Sequence, residues 1–134
     1  MSRLEPENGA RFAKLAALCL RDKDWDAAEA AAILAVSADR DCAEGWLALG
    51  VTRARRSEHQ AALIAYMEAL RLRPDDVSCW TDVGELYISL LRYPEAAAAL
   101  RQAMVLDPEA MHPAGRRARA VAAQTMGELK RRTG

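Results

Sequence analysis

The sequence predicts an all-α protein, and three observations carry that prediction. Of 134 residues, 29 are alanine and only seven are aromatic. Alanine is the best helix former, whereas a β-sandwich or barrel draws on valine, isoleucine, threonine and aromatic side chains. Apolar residues make up 51% of the chain and charged ones 28%, the balance of a folded chain rather than a disordered one. The third observation is self-similarity. Trp46 and Trp80 stand 34 residues apart, and so do Gly50 and Gly84, Ala62 and Ala96, Ala69 and Ala103, and Pro74 and Pro108. A unit of that length cannot bury its apolar face alone, so neighbouring units must stack.

The first clear repeat reads Trp46, Leu49-Gly50, Ala62, Tyr66, Ala69 and Pro74; the next reads Trp80, Val83-Gly84, Tyr87, Ala96, Leu100, Ala103 and Pro108. This pattern resembles the tetratricopeptide repeat family, whose unit is a helix-turn-helix of 34 residues. One period earlier, Phe12, Leu15-Ala16, Ala28 and Ala35 fall on the same positions, with Arg40 in place of the proline. The resemblance implies three repeats, at residues 9–42, 43–76 and 77–110, wound into a right-handed α-α superhelix. Residues 1–8 read as an N-terminal arm, and residues 111–134 as a C-terminal capping helix with a basic tail.

Each element has a local justification. Leu63, Tyr66, Met67 and Leu70 form an i, i+3, i+4, i+7 stripe on the second helix of repeat two. Ser57-Glu58-His59-Gln60 reads as a capping box at its start. Pro94 suits the first turn of the matching helix in repeat three, and Pro74 and Pro108 end their helices. Gly50 and Gly84 fall inside helices, at a cost of about 1 kcal/mol each against alanine, which close helix approach would offset. Trp46 and Trp80 are expected to be largely buried within their own repeats. After Pro113 a helix over about 114–132 carries a weak stripe of Ala118, Val121, Ala122, Thr125 and Leu129, which would close the last apolar face.

Catalytic constellations are nearly absent from the sequence. His59 and His112 are the two histidines, and neither has a partner at helical spacing. Asp22, Asp24 and Asp26 alternate as in a calcium loop, but the required glycine and terminal glutamate are missing, so they read as helix-start acids. The glycines are scattered and build no phosphate loop. Cys19, Cys42 and Cys79 are odd in number and widely spaced, which suggests apolar packers in a reducing compartment. The first residues carry no apolar signal segment, and no run of 18 apolar residues exists. The expectation is a cytoplasmic, non-enzymatic protein with no cofactor, no metal and no membrane span.

Charge is balanced overall, with 19 basic and 19 acidic residues, but not along the chain. Arg116, Arg117, Arg119, Lys130, Arg131 and Arg132 face one acid, Glu128, in the last stretch. Such a helix could bind phosphates. With no aromatic interleaved, a solvated face and cations favoured by the helix dipole are the simpler account, so a nucleic-acid partner is not expected.

The resemblance places the functional surface on the first helix of each repeat. Repeat positions that face the concave side in the family fall here on Ala10, Ala13, Ala17, Leu20 and Arg21, then Glu44, Leu47, Val51, Ala54 and Arg55, then Ser78, Thr81, Glu85, Ile88 and Ser89. Of these, Ala13, Ala17, Leu20, Glu44, Leu47, Val51, Arg55, Thr81, Glu85 and Ile88 are the expected binding residues. The middle of this groove is apolar and its rims charged. One subclass binds acidic C-terminal peptides of heat-shock chaperones through a clamp of lysines, asparagines and an arginine. The matching positions hold Ala13, Ala17, Ala48, Ser78 and Asp82, of which only Ser78 can donate to a carboxylate, so that subclass is not expected. An apolar groove suits an extended peptide with spaced hydrophobic anchors instead.

Small chains of this plan are similar to the class II chaperones of bacterial type III secretion, which hold an unfolded translocator in the groove. Arg53 within Leu49-Gly50-Val51-Thr52-Arg53, and Gly84-Glu85-Leu86, resemble segments of those chaperones. The expected function is a secretion chaperone holding an export substrate, in a homodimer or small heteromeric complex. While empty, the groove is expected to be hidden by self-association or by insertion of the tail. The alternatives are an adaptor bridging folded proteins in a pilus or envelope machine, or a nucleic-acid or membrane-associated factor acting through the basic helix.

Overall fold

The structure, a computed structural model, describes residues 5–133. The expected N-terminal arm lies outside them at residues 1–4; Pro6–Asn8 forms a short 3₁₀ turn. Among the described residues the chain is all-α, with seven α-helices and no strand. They are α1 (Gly9–Arg21), α2 (Trp25–Ala38), α3 (Ala43–Arg55), α4 (His59–Leu72), α5 (Val77–Ser89), α6 (Tyr93–Leu106) and α7 (Pro113–Thr133). Helices α1, α3 and α5 start one sequence period apart, and so do α2, α4 and α6.

The turns inside the helix pairs are equally periodic. Lys23, Ser57 and Leu91 all adopt left-handed backbone, with φ of 59°, 61° and 59°. This lets each chain reverse within three residues. It also corrects the expected capping box. Ser57 is committed to the left-handed turn, so Glu58 becomes the N-cap of α4, and no side chain caps that helix. Real side-chain caps occur at α2, where Asp24 accepts from the Ala27 amide at 3.2 Å, and at α5, where Asp76 accepts from Cys79 at 3.2 Å. The prolines act as the sequence requires. Pro94 occupies the first turn of α6, while α4 and α6 end just before Pro74 and Pro108.

The helices form two compact units, Met1–Pro74 and Asp75–Gly134. In the first, α1 packs on α2 and α3, α2 on α3, and α3 on α4. Its core is small-residue packing: Ala16, Ala31, Ala32, Ala48 and Ala65 around Leu49. Trp46 leans on this cluster and donates its indole N–H to the Arg40 carbonyl at 2.8 Å. In the second unit α5, α6 and α7 pack mutually around Leu100, Ala103 and Ala118, with Trp80 against them. Both indoles are partly buried and pack against these clusters, in line with the expectation that they are largely covered.

Candidate functional site

Seven of the ten expected groove residues lie in the first unit. Ala17, Leu20, Val51 and Arg55 come together, with Arg21, Lys23 and Trp25, around a cleft of about 530 Å³. Leu20 packs its inner side on the alanine cluster and stays partly accessible, as does Val51. Leu47 is half-buried on α3 but does not line this cleft. Glu44 is exposed and pairs with Arg73 at 2.6 Å. Ala13 is a correction. It is only 6% exposed, packed with Ala35, Cys42 and Phe12, so its methyl belongs to the core and offers nothing to a ligand.

The second unit departs further from expectation, because α7 lies against α5. Thr81 is fully buried, and its hydroxyl bridges the carbonyls of Val77 and Ala114, both at 3.0 Å. It secures α7 and is corrected from groove contact to structural residue. Glu85 is half-buried and accepts from Arg117 at 2.6 Å, while Asp82 meets the same guanidinium at 2.7 Å. Ile88 packs against the Leu100 cluster and, with Tyr93, Val121 and Glu128, lines a shallow cleft of about 280 Å³.

The basic helix is mostly occupied with the protein itself. Arg119 donates to the Asp107 carbonyl at 2.6 Å and the Pro108 carbonyl at 3.1 Å, where the negative end of α6 favours a cation. Arg116 holds the carbonyls of Ala110 and Met111. Arg131 and Arg132 pair with Glu128, and the Arg131 guanidinium holds that carboxyl below the usual range. Asp107 completes the α6–α7 corner. Burial raises its affinity for a proton, but amide donation from His112 and Met111, with Arg119 nearby, outweighs this and leaves its pKa lowered.

Lys23 and Trp25 were not legible as site residues. They belong to the α1–α2 turn and the start of α2, and repeat numbering assigns a face only to first-helix positions. The left-handed turn swings both toward the end of α3. Among the described residues no cluster of histidine, cysteine, aspartate or glutamate is arranged to hold a metal, and no helix is long and apolar enough to cross a membrane.

No family model matches the sequence. The chain is 34% identical over 61 residues to Superkiller protein 3 of Schizosaccharomyces pombe, a match covering 46% of this chain and 4% of that protein. It is 28% identical over 99 residues to the chloroplastic tetratricopeptide repeat domain-containing protein PYG7 of Arabidopsis thaliana, covering 71% of this chain and 33% of that one. The chain therefore spans a third or less of these relatives' length. Among solved structures, the Arabidopsis OM64 TPR domain superposes with a TM-score of 0.78 at 21% identity, over 90% of this chain and 98% of that one. PcrH in complex with the chaperone binding region of PopD gives 0.80 at 20% identity, over the whole of both chains. The Yersinia enterocolitica type III secretion chaperone SycD, in complex with a peptide of the translocator YopD, gives 0.78 at 15%, over 93% and 94%. At these identities the likeness is one of fold. With the sequence period and the paired helices, it establishes that the chain has the tetratricopeptide-type fold.

Proposed function

We propose that the chain is a non-enzymatic protein-binding module, and specifically a cytoplasmic secretion chaperone that holds an extended segment of an export substrate. The carrying observation is the first-helix face of α1 and α3, where Leu20, Leu47 and Val51 are covered only in part. Side chains left partly open are what an extended segment with spaced apolar anchors covers, and it is the anchor's own full burial that carries about 1.5–3 kcal/mol. Two of the fold neighbours, PcrH and SycD, are chaperones seen with segments of PopD and YopD, and that supports the reading. The Nδ1 of His112 accepts from the Ala114 amide and serves the start of α7. Three free cysteines suit a reducing compartment.

Photo-cross-linking tests the reading. A photoreactive residue at Leu47 or Val51 should capture a client protein in cells. The same residue at Ile64, which is exposed on α4, should not. Equal capture from both positions would reject it.

A further inference from the structure

The cleft beside the α1–α2 turn has an apolar floor, three cations at its rim and no carboxylate in its lining. Arg21 ends α1, Arg55 ends α3, and Lys23 occupies the left-handed turn. Neighbouring arginines are held by the protein's own acceptors. Arg53 donates to the Ala61 carbonyl, Arg56 reaches Asp26 and Glu29, and Arg73 pairs with Glu44. The side chains of Arg21, Lys23 and Arg55 make no hydrogen bond or ion pair among the described residues. The nearby acids are directed elsewhere: Asp24 caps α2, Asp26 meets Arg56, and Asp22 stands outside the lining. The helix dipole accounts for a cation at each helix end. It does not account for three of them converging on Leu20, Val51 and Trp25.

We infer that this cleft takes one aliphatic side chain of a partner protein whose flanking residues are aspartate or glutamate. The inference rests on the groove reading above and adds the charge of the client. Leu20 and Val51 cover the anchor, while the guanidinium groups and the ammonium supply the donors that carboxylates accept. None of the three cations stands at a position of the heat-shock carboxylate clamp. Charge selects against a second copy's tail, because α7 ends in Lys130, Arg131 and Arg132, of the same sign as the rim. Ala17, Leu20 and Val51 supply the aliphatic surface a leucine-like anchor needs, and the oligonucleotide arm below tests a base stacked on Trp25.

Calorimetry on the full chain tests this with three synthetic probes. The first is a short peptide with one leucine flanked by aspartates and glutamates. The second carries asparagine and glutamine instead, and the third is a thymidine oligonucleotide. The acidic peptide should bind at least about tenfold more tightly than its amide counterpart, and added salt should reduce that preference. Arg21→Glu/Arg55→Glu should abolish it, as should the milder Arg21→Gln/Arg55→Gln if the reversal variant fails to fold. Equal binding of the two peptides overturns the inference, as does a preference that survives both variants. Tighter oligonucleotide binding that displaces the acidic peptide overturns it too. If both peptides bind alike and Val51→Asp abolishes both, the charge inference falls while the groove reading stands. If no peptide binds and cross-linking at Leu47 also fails, both fall.

Discussion

Gly50 on α3 faces the ring of Tyr66 on α4 so closely that a Cβ there would stand 2.5 Å from the ring Cδ1. The same relation recurs one repeat on, where a Cβ at Gly84 would stand 2.5 Å from Leu100 Cδ2. Tyr66 and Leu100 are 2% and 1% exposed, so neither can swing aside. Gly50→Ala should therefore destabilise the protein by about 1–3 kcal/mol, despite the better helix propensity of alanine. Thermal melts of Gly50→Ala and of Gly50→Ala/Tyr66→Leu measure it. The double variant should recover part of the loss, and a neutral Gly50→Ala would show that the helices separate freely.

That fit explains what the sequence could and could not tell. Two glycines at one period, each costly in a helix, announced a close approach before any coordinates. The facing of Ala13 and Thr81 was not legible. Repeat position assigns a side of the helix, but burial depends on what packs there: Cys42 and Ala35 on Ala13, and α7 on Thr81. The capping box failed for a related reason. Its residue pattern is present, but the tight reversal needs Ser57 in a left-handed conformation, and that requirement wins. The cationic cleft was half legible: Arg21 and Arg55 fall on groove-facing repeat positions, whereas the turn residue Lys23 has no place in a helix-face pattern.

Leu91 provides a second test. It is 67% exposed yet held at φ 59°, where a side chain costs about 1–2 kcal/mol and glycine almost nothing. Glycine is also freer when unfolded, which returns part of the gain. Leu91→Gly should still raise stability by about 0.5–1 kcal/mol, read as an increase in melting temperature.

The α6–α7 corner should be sensitive to acid. The lowered pKa of Asp107 means that its ionised form is favoured in the fold. Its contribution is therefore complete above about pH 5 and declines as pH falls through the ordinary carboxylate range toward the lowered native value. Asp107→Asn should flatten the acid limb of a stability–pH curve. Gly115→Ala should act on the same corner, because a Cβ there collides with the Asp107 carboxylate. An unchanged acid limb in Asp107→Asn would place the sensitivity elsewhere.

Thiol chemistry should separate the three cysteines. Burial pushes the Cys79 and Cys42 thiols up from their ordinary range, and thiolate is the reactive form. Cys19 is only partly covered. Iodoacetamide at neutral pH should label Cys19 first in the native protein and all three in denaturant, as mass spectrometry would show. Early labelling of Cys79 would mean that α5 opens readily.

The last prediction sets the groove against the basic tail. If the open face of α1 and α3 holds the client, Val51→Asp places a charge where an apolar anchor must sit. Losing one aliphatic contact and setting a carboxylate against the client's apolar anchor should cost at least about tenfold in affinity. The neighbouring cations do not rescue it, because the anchor rather than the flanking acids occupies that point. The fold should survive, since Val51 is only half-buried and lies outside the Ala16–Leu49 cluster. Arg131→Glu/Arg132→Glu removes cations whose ion pairs among the described residues are with Glu128, so it should leave client capture unchanged. Pull-down with both variants, each checked by thermal melt, decides between the surfaces. Normal capture by Val51→Asp together with loss in the tail variant would move the functional surface to α7.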